Sequence, residues 1–332
     1  MDKFNPVDMS LWQGRHDPED GELALRWHDK VQPWAAGAQE PAGAQEAAGA
    51  QEAAGAQEAA GVVLLGFACD EGVRRNKGRI GAADAPLAVR KLLANTAWHL
   101  NRPVYDGGDV SCPDGDLDAT HGRLAERVAS ALDLGHFPLV LGGGHEVAFG
   151  SWSGLNRHLG GSGKVGIINF DAHFDLRMKL ELASSGTPFF QIAEQCAAQG
   201  TPFHYACLGV AETANTQALF ARAEALGVWH VLDEAMTQAE LPALLAGLDT
   251  FIADCDHLYL TIDLDVLPGA VMPGVSAPAA RGVELAVIEP LIAHIRASGK
   301  LRLADLAEFN PMLDQDNRSA RVAARLVHLL TR

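Results

Sequence analysis

The chain has 332 residues, 48% of them apolar, and a formal charge of −16 at pH 7. That length and apolar share allow one large α/β domain or two ordinary ones around a buried core. The acidic excess, without a basic stripe carrying interleaved aromatics, argues against nucleic acid and anionic membrane as partners and favours a small substrate, which needs a local cationic group if it is itself anionic.

The start, MDKFNPVDMSLWQGRHD, lacks the basic-then-apolar layout of a secretory signal, and no run of eighteen apolar residues follows, so the expected location is cytoplasmic. Residues 1–36 read as an N-terminal segment packing on the main body. From Gly37 to Gly61 the chain repeats a hexad, GAQEPA followed by three copies of GAQEAA. Six residues turn a helix by roughly 600°, so successive copies build no apolar stripe, and recurring glycine weakens the helix further. The reading is a solvated, low-complexity insertion.

Beyond it, residues 62–332 read as one catalytic domain. Short β-rich apolar runs alternate with helical stretches: 62–67, 137–143, 164–171, 203–210, 257–265 and 301–309 predict buried parallel strands. Helices are predicted over Pro86–Asn95, Thr120–Leu134, Asn215–Leu226, Glu284–Ala297 and Asn317–Leu330, the last with Val322, Leu326, Leu329 and Leu330 on one face. Together these elements predict a doubly wound α/β fold. The five cysteines are scattered and odd in number, which suits reduced structural thiols.

Ligands of open parallel sheets bind beyond the carboxyl ends of the strands. Three predicted strand ends there carry metal-ligand side chains: GGGHE with His145, DAHFD with Asp171, His173 and Asp175, and DLD with Asp263 and Asp265. Alternation aims residues two and four apart at a common point. A lone His or Asp at such a place often only caps a helix. Two imidazoles and four carboxylates together repel one another unless cations intervene. The thiolate-free nitrogen and oxygen set suits Mn²⁺, with Fe, Co or Zn as alternatives, and six ligands suggest two ions roughly 3.5–4 Å apart.

Two rivals fit less well. GGGHE could cradle a phosphate on backbone N–H groups, but it lacks the lysine and hydroxyl of GxxxxGK[ST] and the spacing of GxGxxG. Dimetal phosphoesterases place their DxH element before the Gly-rich segment, the reverse of the order here.

In the order GGGHE, NFDAHFD, TIDLDVLPGAVMPGVSAP and EFNP, the sequence resembles the ureohydrolase family of arginase and agmatinase, from about Val62 to the C-terminus. GAADAP followed by Arg90, and DGGDV at 106–110, add weaker support. The resemblance implies a three-layer αβα fold with a mostly parallel central sheet, a homo-oligomer, and two Mn²⁺ ions per subunit. One ion would be held by His145, Asp171, Asp175 and Asp263, the other by His173, Asp171, Asp263 and Asp265. It further implies that Asp175 relays a proton to the leaving amine and that Glu308 of EFNP bonds the cationic substrate head.

Departures from arginase narrow the substrate. Phe189 of SSGTPFF lies near the place of arginase's shuttle His, and Arg177 stands where arginase has a neutral residue. An arginine there can clamp a carboxylate with two hydrogen bonds. DAHFDLR, SSGTPF and LGVAETANT look like the branch that hydrolyses N-formimidoyl-L-glutamate to L-glutamate and formamide in histidine breakdown. Its small anionic, amino-acid-derived substrate would also meet Asn76 and Arg79 of RRNKGR, and Ser185. Arg74 and Lys77 read as solvated. Agmatine or a guanidino acid as substrate, and an inactive metal-binding scaffold, are the alternatives.

Overall fold

The structure is a computed structural model and describes residues 4–35 and 59–332. Most of the hexad repeat lies outside the described residues. In chain order the strands are β1 (Phe4–Asn5), β2 (Gln32–Pro33), β3 (Val62–Ala68), β4 (Val104–Ser111), β5 (Phe137–Leu141), β6 (Val165–Phe170), β7 (His204–Val210), β8 (Trp229–Leu232), β9 (His257–Asp263) and β10 (Leu301–Ala307). The helices are α1 (Glu71–Arg75), α2 (Ala85–Ala94), α3 (Leu117–Asp133), α4 (Val147–Leu159), α5 (Pro188–Gln199), α6 (Gln217–Ala225), α7 (Leu241–Ala253), α8 (Leu285–Ala297) and α9 (Arg318–Thr331).

All ten strands of the described residues join one sheet in the order β1-β4-β3-β5-β10-β9-β6-β7-β8, with β2 also on β4. Among the described residues, only β1 runs antiparallel to its neighbour. The six strands expected from the sequence are all present. Alternate residues of one strand feed opposite layers: Val62 and Leu64 of β3 join the core under α2, α7, α8 and α9, while Val63, Leu65 and Phe67 join the core under α3, α4, α5 and α6. Both faces are therefore covered, which is why these strands are apolar throughout rather than alternating. On α9, Val322, Leu326 and Leu330 are buried and Leu329 packs at their margin. Each such side chain contributes about 1.5–3 kcal/mol when fully removed from water.

Residues 4–35 lie against the β4 edge. Trp12, Trp27 and Trp34 are buried there, and Trp12 Nε1 donates to Asp106 Oδ2 at 2.8 Å. The same carboxylate receives Arg90 Nη2 at 2.9 Å, and Arg90 Nη1 reaches Asp109 at 2.6 Å. Two sequence features read separately, Arg90 and DGGDV, thus form one buried ion-paired cluster.

On α3, His121 is buried between Phe67 and Phe149. Burial depresses its pKa from 6.5 to about 4. The folded state then favours neutral imidazole while the unfolded chain titrates normally. The stability tied to neutral His121 is complete above about pH 6.5 and lost as pH falls toward 4. The shift corresponds to on the order of 3 kcal/mol. His121→Leu should therefore flatten the acid limb of urea-unfolding stability between those pH values; an unchanged limb in the variant would rule out His121 as its source.

Candidate metal centre

The four central strands β5, β10, β9 and β6 are neighbours, and each delivers part of one site from its carboxyl end. After β5 the chain runs through Gly142–Gly144 to His145. These glycines serve close packing, since a Cβ on Gly143 would sit 1.8 Å from the Cys69 carbonyl oxygen and one on Gly142 2.4 Å from that of Leu306. The Gly143 carbonyl accepts Glu308 N–H at 2.8 Å. After β10, Glu308 adopts φ 67 and turns back so that its Oε1 accepts His145 N–H at 2.9 Å. The Gly-rich turn and EFNP are thereby locked together.

After β6, Asp171 is fully buried, and Asp175 sits at φ 47, a conformation non-glycine residues rarely hold. Asn215 clamps this loop: its Oδ1 accepts Phe174 N–H at 3.1 Å and its Nδ2 donates to the Ala172 and Ala211 carbonyls, both at 2.9 Å. At the end of β9, Asp263 Oδ1 accepts Asp265 N–H at 2.9 Å, fixing the DLD turn.

The result is two overlapping sets of ligand atoms. His145 Nδ1 lies 3.1, 2.9 and 3.1 Å from carboxylate oxygens of Asp171, Asp175 and Asp263. His173 Nδ1 lies 3.0 Å from Asp265 Oδ2 and 3.6 Å from Asp171 Oδ1. Asp171 faces His145 through Oδ2 and His173 through Oδ1, so it spans both sets. The structure groups His145, Asp171, Asp175 and Asp263 as one set and Asp171, His173 and Asp265 as the other. Asp263, expected in both, falls in the first.

The donor set fits divalent cations. His145 Nδ1 is buried and makes no well-aligned hydrogen bond although three carboxylates surround it. One N–H cannot serve three acceptors; a cation can. Burial works against charge on His145, yet Asp171, Asp175 and Asp263 outweigh it and raise its pKa well above normal. Burial, then the Asp265 and Asp171 charges, raises Asp263 well above the usual carboxylate range, and burial followed by Asp171 raises Asp175. Without cations the site is short of positive charge.

Behind the ligands, His145 Nε2 meets Thr261 Oγ1 at 3.1 Å, and Tyr259 Oη donates to buried Asp305 at 2.6 Å. Asp305 also engages Thr261. Such partners hold a ligating imidazole in one orientation. Sequence reading missed Thr261, Asp305 and Asn215; the first two sit inside apolar strands that look merely structural.

The ligand sets open into a cleft of about 410 Å³ lined by Asn76, Lys77, Arg79, Arg177, Ser185 and Glu308, among others. Burial, aided by the Asp265 carboxylate, pushes Glu308 up to about 8. Asn76 Nδ2 donates to Ser185 Oγ at 3.2 Å. The Arg177 stem crosses Gly186, where a Cβ would come 2.8 Å from Arg177 Cδ and 3.3 Å from Asn76 Nδ2. Asn76, Arg177 and Ser185 therefore form one wall. Arg79 lines the cleft, but its Nε and Nη2 donate to the Ser276 and Val275 carbonyls at 2.9 and 2.7 Å. Arg74 pairs with Glu71 at an exposed position, whereas Lys77, expected in solvent, borders the cleft at φ 63. Phe189 is buried, 4.4 Å from Tyr205 and 5.3 Å edge-on to His145 between ring centres, and carries no titrating group.

A parallel sheet with this double ligand set at its carboxyl edge defines the class, and a sequence model of the arginase family matches residues 60–331: the chain belongs to the arginase family. It is 84% identical over 331 residues to the formimidoylglutamase of Aeromonas hydrophila subsp. hydrophila, covering 99% of each chain, and 78% identical over 333 residues to that of Aeromonas salmonicida, covering both completely. Among solved structures it resembles the formimidoylglutamase of Bacillus subtilis (TM-score 0.79, 20% identity, 96% and 93% of the two chains covered). It also resembles Trypanosoma cruzi formiminoglutamase solved with Mn²⁺ (TM-score 0.73, 26% identity, 85% and 95% covered). Among the described residues no helix is long and apolar enough to cross a membrane.

Proposed function

We propose that the protein hydrolyses N-formimidoyl-L-glutamate to L-glutamate and formamide, a step of histidine degradation. The observation that supports this most strongly is the conjunction of the six-residue ligand cluster with Arg177 on the wall of the same cleft; whole-length likeness to formimidoylglutamases points the same way. His145, Asp171, His173, Asp175, Asp263 and Asp265 would hold two Mn²⁺ ions. When bound, such ions lower the pKa of water and so supply the nucleophile at neutral pH.

The chain's own residues then do four things. Glu308 receives the cationic amidine head and orients its carbon toward the ligand cluster. Asp175 accepts the proton that water gives up and returns it to the glutamate nitrogen as the C–N bond breaks, so that the amine leaves neutral. Arg177 holds a substrate carboxylate. Asn76 and Ser185 fix the substrate's tail beside it, and Arg79, already tied to the Val275 and Ser276 carbonyls, braces the cleft lining there.

The test is a substrate panel on Mn²⁺-loaded protein: N-formimidoyl-L-glutamate, agmatine, L-arginine and a guanidino acid, on wild type and Arg177→Ala. Glutamate release from the first alone is expected. In Arg177→Ala, KM for it should rise about 10- to 100-fold, the worth of a charge-assisted pair, with kcat within a few-fold. Preference for agmatine would overturn the substrate assignment, and an unchanged KM would overturn the Arg177 role.

A further inference from the structure

A third cluster of ligand atoms lies far from the cleft in sequence, in the N-terminal segment: His16, His28 and Asp29. We propose that these three residues form a separate tetrahedral site for Zn²⁺ or a similar divalent ion, with a water completing it, that staples the N-terminal segment across residues 16–28.

The first observation is the state of the His28 ring. Its side chain is only 3% exposed, and its Nε2 lies 3.1 Å from the Arg15 carbonyl oxygen. A carbonyl can only accept, so the proton is on Nε2. That leaves Nδ1 for the site, and it faces Asp29 Oδ1, 3.3 Å away. Both atoms can ligate a cation, and the exposed His16 beside them leaves the site open to one from solvent. An imidazole that donates one N–H to a backbone carbonyl and offers the other nitrogen is the usual arrangement of a metal-ligating histidine.

The second observation is the spacing. His16 Nδ1 is 3.4 Å from that same Asp29 Oδ1. Ligand atoms bound about 2.0–2.1 Å from a tetrahedral ion lie about 3.3–3.4 Å from one another. The cleft differs, with spacings of 2.9–3.1 Å around His145 Nδ1.

Third, the shell around the ligands is built. Asp29 Oδ2 accepts Arg26 N–H at 2.8 Å, leaving Oδ1 for the site. Gly14 has no side chain to displace the His28 ring, which a Cβ would meet at 2.4 Å. Asp17 pairs with both Arg15 and Arg26, which offsets part of the positive charge beside the site and holds both guanidinium groups on its own carboxylate. The partner is a borderline metal rather than a hard one, because two of the three donors are imidazoles.

The experiment uses the full chain, stripped of metal and titrated with Co²⁺ or Zn²⁺, alongside His16→Ala. His16 is 71% exposed, so its removal leaves the fold intact. In wild type, Co²⁺ should give the strong visible bands of a four-coordinate ion, and His16→Ala should lose them and bind one equivalent fewer by elemental analysis. Zn²⁺ should raise the wild-type Tm by at least about 2 °C more than that of the variant. Hydrolytic activity should be the same in both. Equal metal counts with no four-coordinate bands in wild type would show an ordinary His28–Asp29 ion pair and overturn the proposal. A fault in the assignment of the cleft ligands would lower both counts together and leave their difference untouched.

Discussion

Asp171→Ala is expected to strip the cleft of metal and reduce kcat/KM on the order of 10³-fold or more, because water at ordinary pKa supplies almost no nucleophile at neutral pH. The reason lies in the carboxylate's position. One oxygen faces His145 at 3.1 Å and the other faces His173 at 3.6 Å, so no other side chain of the cluster touches both imidazoles. Its removal also orphans the His173 N–H, which reaches it at 2.6 Å, and takes one of two bonds from Asn169 Nδ2, at 2.9 Å, leaving that to Tyr205 Oη at 3.0 Å. An unsatisfied buried donor costs about 1–3 kcal/mol, so a lower Tm should accompany the metal loss. Asp171→Asn separates the two effects, since it keeps the shape and removes the charge. Elemental analysis beside steady-state kinetics decides the matter: two retained equivalents with activity within tenfold of wild type would show that Asp171 is not a shared ligand.

The second large effect is expected at Glu308. Glu308→Gln keeps an oxygen to accept His145 N–H but cannot offset a cationic head. kcat/KM should fall about 100-fold, or about 2.7 kcal/mol of transition-state stabilisation, while metal content stays at the wild-type value. Glu308→Ala should do worse for a different reason. It frees the His145 N–H, now bonded at 2.9 Å, and so loosens the ligand loop itself. Metal affinity should therefore drop in the alanine variant and not in the glutamine variant. Equal metal loss in both would make Glu308 a support for the ligand loop rather than a substrate contact.

How legible the site was depends on how local its parts are. DAHFD and DLD carry their spacing within a few residues, and the period of an extended chain aims their side chains together whatever surrounds them. The six apolar strands declare themselves because both their faces are buried. β4 does not, since its centre is Asp106-Gly107-Gly108-Asp109, a sequence that reads as a turn; its polar groups are tolerated only because Arg90 and Trp12 meet them from two other segments. β8 has four residues, all only part-buried, and gives no apolar run to read.

Sequence alone determined the strand and helix alternation, the metal-ligand types and their three loops, and, through its likeness to a family, the chemistry at the cleft. Tertiary structure decided what stands beside what. The order β5-β10-β9-β6 is set by how crossover helices pack, and it brings His145, Glu308, Asp263 and Asp171 to one edge from positions as far apart as 145 and 308. It also decided which cations are free to act: Arg79 looks available in RRNKGR until the Val275 and Ser276 carbonyls are seen to hold it. The meeting of His16 with His28 and Asp29 belongs to the same class, because a contact across a non-repeating chain segment leaves no periodicity in the sequence from which to infer it.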